Sequence, residues 1–237
     1  MRGGSRRAAV IGLCCGGAFA PVLLAGCHPL PQLGTTHNPP AQVYTVTGRV
    51  TTLVIKGGTG SIDVTGSNRG TIGVTQNVSY GKTAPTLTHA LSGTTLTLSY
   101  SCPSEFVCGV SYSVQVPRGV TVQVSTSAGP ITLTSLAGPV SAQTSAGLIT
   151  AIGLSSPTAT LKSNAGGIDA TFSAAPSSVH AATNVGPISL AVPGSAAYQI
   201  NTHAYVGSST VTVPKNAASP HVISASSDLG SITISPS

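Results

Sequence analysis

Two carboxyl groups about 5–10 Å apart break a glycosidic bond, and the chain holds only Asp63, Glu105, Asp169 and Asp228 from which to build such a pair. Asp63, Asp169 and Asp228 fall in separate segments of a repeated phrase. Asp169 follows the Ile of its phrase and Asp228 precedes the Gly of its own, so they sit at different phases. Asp228 reads more simply as a turn residue that bonds its own backbone. His180, His203 and His221 follow one another at 23 and 18 residues, near the repeat length. Stacked on one face they would suit a metal ion, but their registers against the repeat differ. No Gly-x-Ser-x-Gly nucleophile elbow, phosphate loop or dinucleotide fingerprint occurs. The expectation is a protein that is not an enzyme, with no catalytic residue, no cofactor and no metal site. An enzyme acting on polysaccharide stays as the minor alternative.

The elements that would position any such group are set by one recurring phrase. It reads Thr126-Ser127-Ala128-Gly129-Pro130-Ile131-Thr132-Leu133 and returns as Thr144-Ser145-Ala146-Gly147-Leu148-Ile149-Thr150-Ala151. Further copies run from Ser163 through Gly166 to Ala170, from Thr183 through Gly186 to Leu190, and from Ser227 through Gly230 to Ile234, with a looser one around Gly207. The repeat-corner glycines Gly129, Gly147, Gly166, Gly186, Gly207 and Gly230 are 18, 19, 20, 21 and 23 residues apart. A unit of about 20 residues cannot bury its own apolar face, so such a period implies stacking. Within a unit, Ile131-Thr132-Leu133 or Ile188-Ser189-Leu190 alternates with period two, which means strand. Glycine supplies a corner, and the Ser, Asn or Asp two positions earlier suits a turn. Val140–Gln143, Thr158–Leu161, Val179–Ala182 and Tyr198–Asn201 leave room for a second strand per unit. An apolar Ile or Val two residues after nearly every phrase glycine sets the stretch apart from a Gly/Ser linker.

Charged residues make up 6% of the chain and aromatics 4%, with no Trp. Leu, Glu, Lys and Arg are too scarce to write long amphipathic helices, and low charge with substantial apolar content argues against disorder. The formal net charge is +6. Without Arg2, Arg6 and Arg7, seven scattered basic residues face four acidic ones, a balance of +3 with no aromatic interleaving. Nucleic acid is not an expected partner.

Residues 1–26 begin with Met1-Arg2-Gly3-Gly4-Ser5-Arg6-Arg7 and continue as an apolar run from Ala8 to Ala25. That is a secretory signal pattern; Gly12, Gly16, Gly17 and Pro21 interrupt it as a membrane span. The following Leu24-Ala25-Gly26-Cys27 resembles the lipobox of bacterial lipoprotein signal peptides. The resemblance implies cleavage before Cys27, a diacylglycerol on its sulfur, and a lipid-anchored protein on the outer face of the cell membrane. Ser5-Arg6-Arg7 faintly resembles a twin-arginine export signal, leaving the export route open. Cys14 and Cys15 would leave with the signal. Cys102 and Cys108 remain as an even pair, which in an oxidising compartment reads as a short-loop disulfide. Two cysteines without two further ligands make a poor zinc site. Residues 28–42, rich in proline, read as a flexible tether after the lipidated Cys.

From Val43 to Val116 the candidate strands are Tyr44–Val50, Thr52–Lys56, Ser61–Val64, Thr71–Gln76, Thr94–Ser99 and Val110–Val116. Gly60-Ser61-Ile62-Asp63-Val64 and Gly70-Thr71-Ile72-Gly73-Val74 foreshadow the repeat. Leu96–Tyr100, the Cys102–Cys108 loop and Tyr112–Pro117 read as a hairpin clamped at its turn. The recurring Gly-x-Ile-x-Val/Leu after a Thr/Ser-rich turn, with Val116-Pro117-Arg118-Gly119-Val120-Thr121-Val122 before the first full phrase, resembles a bacterial adhesin-like domain family. That family has a β-solenoid of short strands, no known function and a place in cell-envelope proteins. The resemblance covers roughly Val43 to Ile234 and brings no catalytic residues with it.

The sequence is therefore read as all-β. The expected fold is a single-stranded, β-helix-like β-solenoid with coils of about 18–23 residues and an N-terminal β cap, preceded by a signal peptide and Pro-rich tether. The expected organisation is a signal peptide at 1–26, the lipidated Cys and tether at 27–42, and the adhesin-like domain at 43–237. Residues 43–116 form its cap and first coils, or else a separate β-sandwich, and 117–237 its regular repeats. The expected role is a cell-surface, lipid-anchored binding or structural protein, with a scaffolding or stress-sensing envelope protein as the alternative. Expected partners are the membrane through Cys27, and a cell-wall glycan or another envelope protein. Tyr80, Tyr100, Tyr112, Tyr198 and Tyr205 either make contacts or fill the cap and the coil ends.

Overall fold

In the computed structural model, the described residues are 36–103 and 107–237. The signal segment, Cys27, most of the tether and Glu105 lie outside them. Among the described residues there is no helix, and the nineteen strands form two sheets. In chain order they are β1 (Gln42–Val46), β2 (Thr52–Lys56), β3 (Ile62–Ser67), β4 (Ile72–Tyr80), β5 (Thr86–Ser92), β6 (Thr95–Ser101) and β7 (Cys108–Pro117). There follow β8 (Thr121–Ala128), β9 (Ile131–Thr134), β10 (Val140–Ala146), β11 (Ile149–Leu154), β12 (Thr158–Ala165), β13 (Ile168–Phe172), β14 (Ser178–Val185) and β15 (Ile188–Val192). The last four are β16 (Gln199–Val206), β17 (Ser209–Val211), β18 (Val222–Leu229) and β19 (Ile232–Pro236).

The first sheet runs β1-β4-β7-β3-β9-β11-β13-β15-β19-β17 and the second β16-β18-β14-β12-β10-β8-β2-β6-β5. Each phrase thus turns from a strand of the second sheet into a strand of the first, and we call such a pair a rung. Rungs stack by parallel pairing at about 4.8 Å. Alternation puts one set of side chains between the sheets. Ile62, Ile131, Ile149, Ile168, Ile188 and Ile232 pair in register across six first-sheet strands and are all buried. Opposite them, Val122, Val140, Ala159, Val179 and Ile223 form the matching buried row of the second sheet.

The order of rungs in space differs from the order in the chain. At the C-terminal end β18 and β19 lie inside β16 and β17, so the last rung is inserted before the one that precedes it. Burial explains the exchange. The inward positions of β18 and β19 hold Ile223, Ala225, Ile232 and Ile234, all buried. The register places Ile200, Thr202, Ser209 and Val211 at the same positions of β16 and β17. Burying an Ile is worth about 1.5–3 kcal/mol, while burying an unpaired hydroxyl costs about 1–3 kcal/mol. The apolar rung therefore goes inside and the rung carrying Thr202 and Ser209 goes outermost.

Residues 42–117 use the same two sheets; two expectations for them need correction and one strand goes unforeseen. The segment around Gly70–Val74 enters β4, which runs antiparallel to β1 and β7, so its phrase builds no rung corner. Thr86–Ser92 is a strand that the pattern did not reveal, antiparallel to β6. The expected hairpin is absent: β6 lies in the second sheet beside β2, and β7 in the first beside β3 and β4. Cys102 and Cys108 are disulfide-bonded, with Cα atoms 6.0 Å apart. They close the corner between the two sheets where other rungs turn at glycine.

Candidate functional site

The corner itself is the most repeated local structure. Gly60, Gly129, Gly147, Gly166, Gly186, Gly230 and Gly207 stand one above the next in that order. Gly166 has φ +143°, and a Cβ there would lie 2.1 Å from the carbonyl oxygen of Gly147. No side chain fits between such stacked backbones. The residue three positions before the glycine completes the corner. Thr144, Ser163, Thr183 and Ser227 are buried and donate their hydroxyls to the carbonyls of Gly129, Gly147, Gly166 and Gly186 at 3.3, 3.0, 2.8 and 3.0 Å. The sequence pattern places the turn residue two before the glycine. Ser127, Ser145, Asn164, Asn184 and Asp228 are instead exposed on the outer face.

That outer face carries polar side chains in register. Along the second sheet Lys56, Ser125, Gln143, Lys162, Ala182, Ser226 and His203 occupy one row. Val54, Gln123, Ser141, Thr160, His180, Ser224 and Asn201 occupy the next. On the first sheet the outward row is Asp63, Thr132, Thr150, Asp169, Ser189, Thr233 and Thr210. Hydroxyl and amide groups thus recur at about the strand spacing, and a depression of about 190 Å³ lies among Val54, Lys56, Gln123, Ser125, Ser141 and Gln143.

The candidate catalytic groups stay apart. Asp63 and Asp169 share a row with two strands between them, about 14 Å at the spacing of paired strands. Asp228 belongs to the other sheet. His180 and His203 lie in different rows, and His221 meets Tyr198 in a tilted ring contact with its Nδ1 2.8 Å from the Pro176 carbonyl oxygen. Among the described residues, no three His, Cys, Asp or Glu side chains come together as metal ligands would.

Of the five tyrosines considered as contacts, only Tyr205 is exposed, at 78%. Tyr112 and Tyr198 are buried, and Tyr80 and Tyr100 are partly so. The Tyr100 hydroxyl donates to the Thr59 carbonyl at 2.7 Å, and Tyr198 donates to the Pro193 carbonyl at 2.9 Å. The hydroxyls of Tyr44 and Tyr112 and Nε2 of Gln76 are buried without a protein partner. Burial first, then the neighbouring phenols of Tyr44 and Tyr100, push the Tyr112 phenol well above its ordinary range; the nearby Gln76 amide opposes them.

Sequence reasoning missed a cleft of about 400 Å³ beside the disulfide, lined among others by Asn38, Pro39, Asn77, Ser79, Gly109 and Ser111. It forms where the segment leading into β1 lies alongside β4 and β7, a long-range pairing that no local pattern announces.

The chain matches no family model and no curated protein. Among solved structures, it is similar to a proposed cell adhesion protein from Clostridium sporogenes at 12% identity and TM-score 0.47, covering 84% of this chain and 100% of that one. It is similar to a proposed adhesin from Bacteroides fragilis at 16% identity and TM-score 0.44, covering 84% and 97%. A proposed adhesin from Parabacteroides distasonis is 9% identical with TM-score 0.32, covering 82% and 97%.

Proposed function

We propose that the stack of rungs is a β-solenoid serving as a lipid-anchored binding protein of the bacterial cell surface. It holds neutral, hydroxyl-rich polymers of the envelope on its outer faces and performs no catalysis. The observation that carries this reading is the registered array of Ser, Thr, Gln and Asn along both sheets. Such an array offers donors and acceptors at a fixed repeat with few fixed charges, which suits a glycan better than a phosphate polymer. The anchor is Cys27, within the Leu24-Ala25-Gly26-Cys27 motif.

Co-sedimentation of residues 28–237 with isolated cell walls tests the binding role. Pelleting that persists at high salt supports recognition by the polar faces. Pelleting lost at high salt reduces it to Lys56, Lys162 and their like. Absence of pelleting turns the reading to the alternative, an envelope scaffold acting through a protein partner. That alternative draws on the exposed apolar residues Val185, Leu229, Val206 and Tyr205. For the anchor, Cys27→Ser releases the protein from membranes and removes palmitate label; a labelled band that survives the change refutes it.

A further inference from the structure

The two ends of the stack are built differently. At the first, β1 and β5 run antiparallel to their neighbours, and side chains from the two sheets meet across the gap. The rings of Tyr44 and His89 meet there in a tilted contact, 5.2 Å between centroids. At the other end, β16 and β17 pair in parallel with β18 and β19 and have no strand on the far side. Their inward residues Ile200, Thr202, Ala204 and Val211 are half-exposed, whereas Ile223, Ala225, Ser227 and Ile234 one rung further in are buried.

The backbone of β16 is also open. Gln199 N–H donates to the His221 carbonyl, on the β18 side. In a parallel strand, alternate residues turn both their polar groups the same way, so those of Ile200, Thr202 and Ala204 face outward along the edge. Proteins guard such an edge with Lys, Pro or other charged residues. Pro214, Lys215 and Asn216 cover this edge only beside Tyr198, whose N–H donates to the Pro214 carbonyl and whose carbonyl accepts from Asn216 N–H; from Gln199 to Val211 there is no Lys, Arg, Asp, Glu or Pro. Val206, 53% exposed, pairs in register with Leu229, 50% exposed, at the rim.

We propose that this end is an interface with the same end of a second copy of the chain, related by a two-fold axis perpendicular to the sheets. A fitting partner must offer two strand edges at the separation of two packed sheets, with an apolar strip between them. A single peptide strand satisfies one edge and leaves the other bare. At the β1/β5 end, which is also a pair of sheet edges, the rings of Tyr44 and His89 lie across the gap between the two strands and occupy the place of a continuous inner strip. The β16/β17 end of another copy supplies both edges at the required separation by construction. A two-fold interface brings each group near its own counterpart, and here no like charges meet. Antiparallel pairing of β16 with its counterpart keeps Ile200, Thr202 and Ala204 on the inner side, so the two cores become continuous.

The test uses the complete chain carrying Asn201→Cys, His203→Cys or Tyr205→Cys, one at a time, on the outward side of β16. At least one variant is expected to give a disulfide-linked species of two chains on non-reducing electrophoresis, where the parent chain gives none. Adding Thr202→Pro removes an outward-facing N–H, and Thr202→Lys puts a charge into the mouth of the core. Each is expected to lower the cross-linked yield at least tenfold. Thr88→Cys, on β5 at the closed end, is expected to give none. The proposal is overturned if all three β16 variants stay uncrosslinked or if Thr88→Cys links equally well. It is equally overturned if Thr202→Lys leaves the yield unchanged, or if the product contains a different protein.

Discussion

Thr183 Oγ1 donates to the carbonyl oxygen of Gly166, one rung away, at 2.8 Å, from a position that is nearly fully buried. The contact joins two strands 17 residues apart in the chain at the point where both turn. Thr183→Val keeps the shape and deletes the donor. It is expected to cost about 1 kcal/mol in urea unfolding, the net worth of a neutral hydrogen bond, whereas the exposed neighbour in Asn184→Ala costs under about 0.5 kcal/mol. Equal effects at the two positions refute the assignment.

Two glycines with positive φ make opposite predictions. A Cβ at Gly166 meets the Gly147 carbonyl, while one at Gly153, with φ +60°, meets nothing within 4 Å. Gly153→Ala therefore carries only the left-handed penalty of about 1–2 kcal/mol. Gly166→Ala must push two backbones apart and is expected to cost about 3–5 kcal/mol. Thermal unfolding of the pair reads the difference directly.

Tyr112 predicts both a mutational and a pH effect. Its buried hydroxyl has no protein partner, so Tyr112→Phe is expected to leave stability unchanged or raise it by about 1 kcal/mol. Burial raises the folded-state pKa of Tyr112, and of Tyr44 and Tyr198 in the same direction. The unfolded phenol ionises near pH 10 while the folded one keeps its proton, so the unfolded state binds fewer protons and stability falls above that pH. The fall should be shallower in Tyr112→Phe. An identical alkaline profile in both proteins counts against the buried phenol.

The Cys102–Cys108 bond spans a sequence separation of 6 residues. Loop-closure entropy for so short a ring gives about 2–3 kcal/mol. The double change to serine is expected to lower unfolding stability by that amount while leaving the strand signal in circular dichroism. A loss of the whole sheet signal at room temperature shows instead that the disulfide corner is needed to form the β6–β7 rung at all.

The strands and the glycine corners were legible because both are written locally, as period-two alternation and a fixed phase between Gly and Ile. The corner hydroxyls were legible too, but one step further along. Val122, Val124 and Thr126 are successive inward positions, so alternation alone points Thr126 into the stack. The turn propensity of Ser127 drew attention away from it. The order of the rungs was not legible in the phrase, since β17 and β19 each carry a copy. It is decided by comparing what each rung buries, with Thr202 and Ser209 as the residues that lose. The supposed hairpin failed for a similar reason: a cysteine loop between two strands serves equally well to turn back within a sheet or to cross to the facing one. Asp63 and Asp169 each follow an Ile and share one row, so it is the strands between them, and not their phase, that separates them; the cleft beside Asn38 and Asn77 depends on a pairing that no short window contains.

The stacked glycines have one more consequence. At the corner each glycine meets the main chain of its neighbour, and the side chain that joins them is a Ser or Thr hydroxyl at Thr144, Ser163, Thr183 and Ser227 alike, so one copy of the phrase can stand where another does. A duplicated or deleted stretch of about 20 residues therefore leaves both extremities as they were and changes the molecule's length by about 4.8 Å. Under the anchoring proposed at Cys27, reach becomes a quantity that the gene adjusts in whole steps, and relatives are expected to differ in the number of such steps before they differ in either tip.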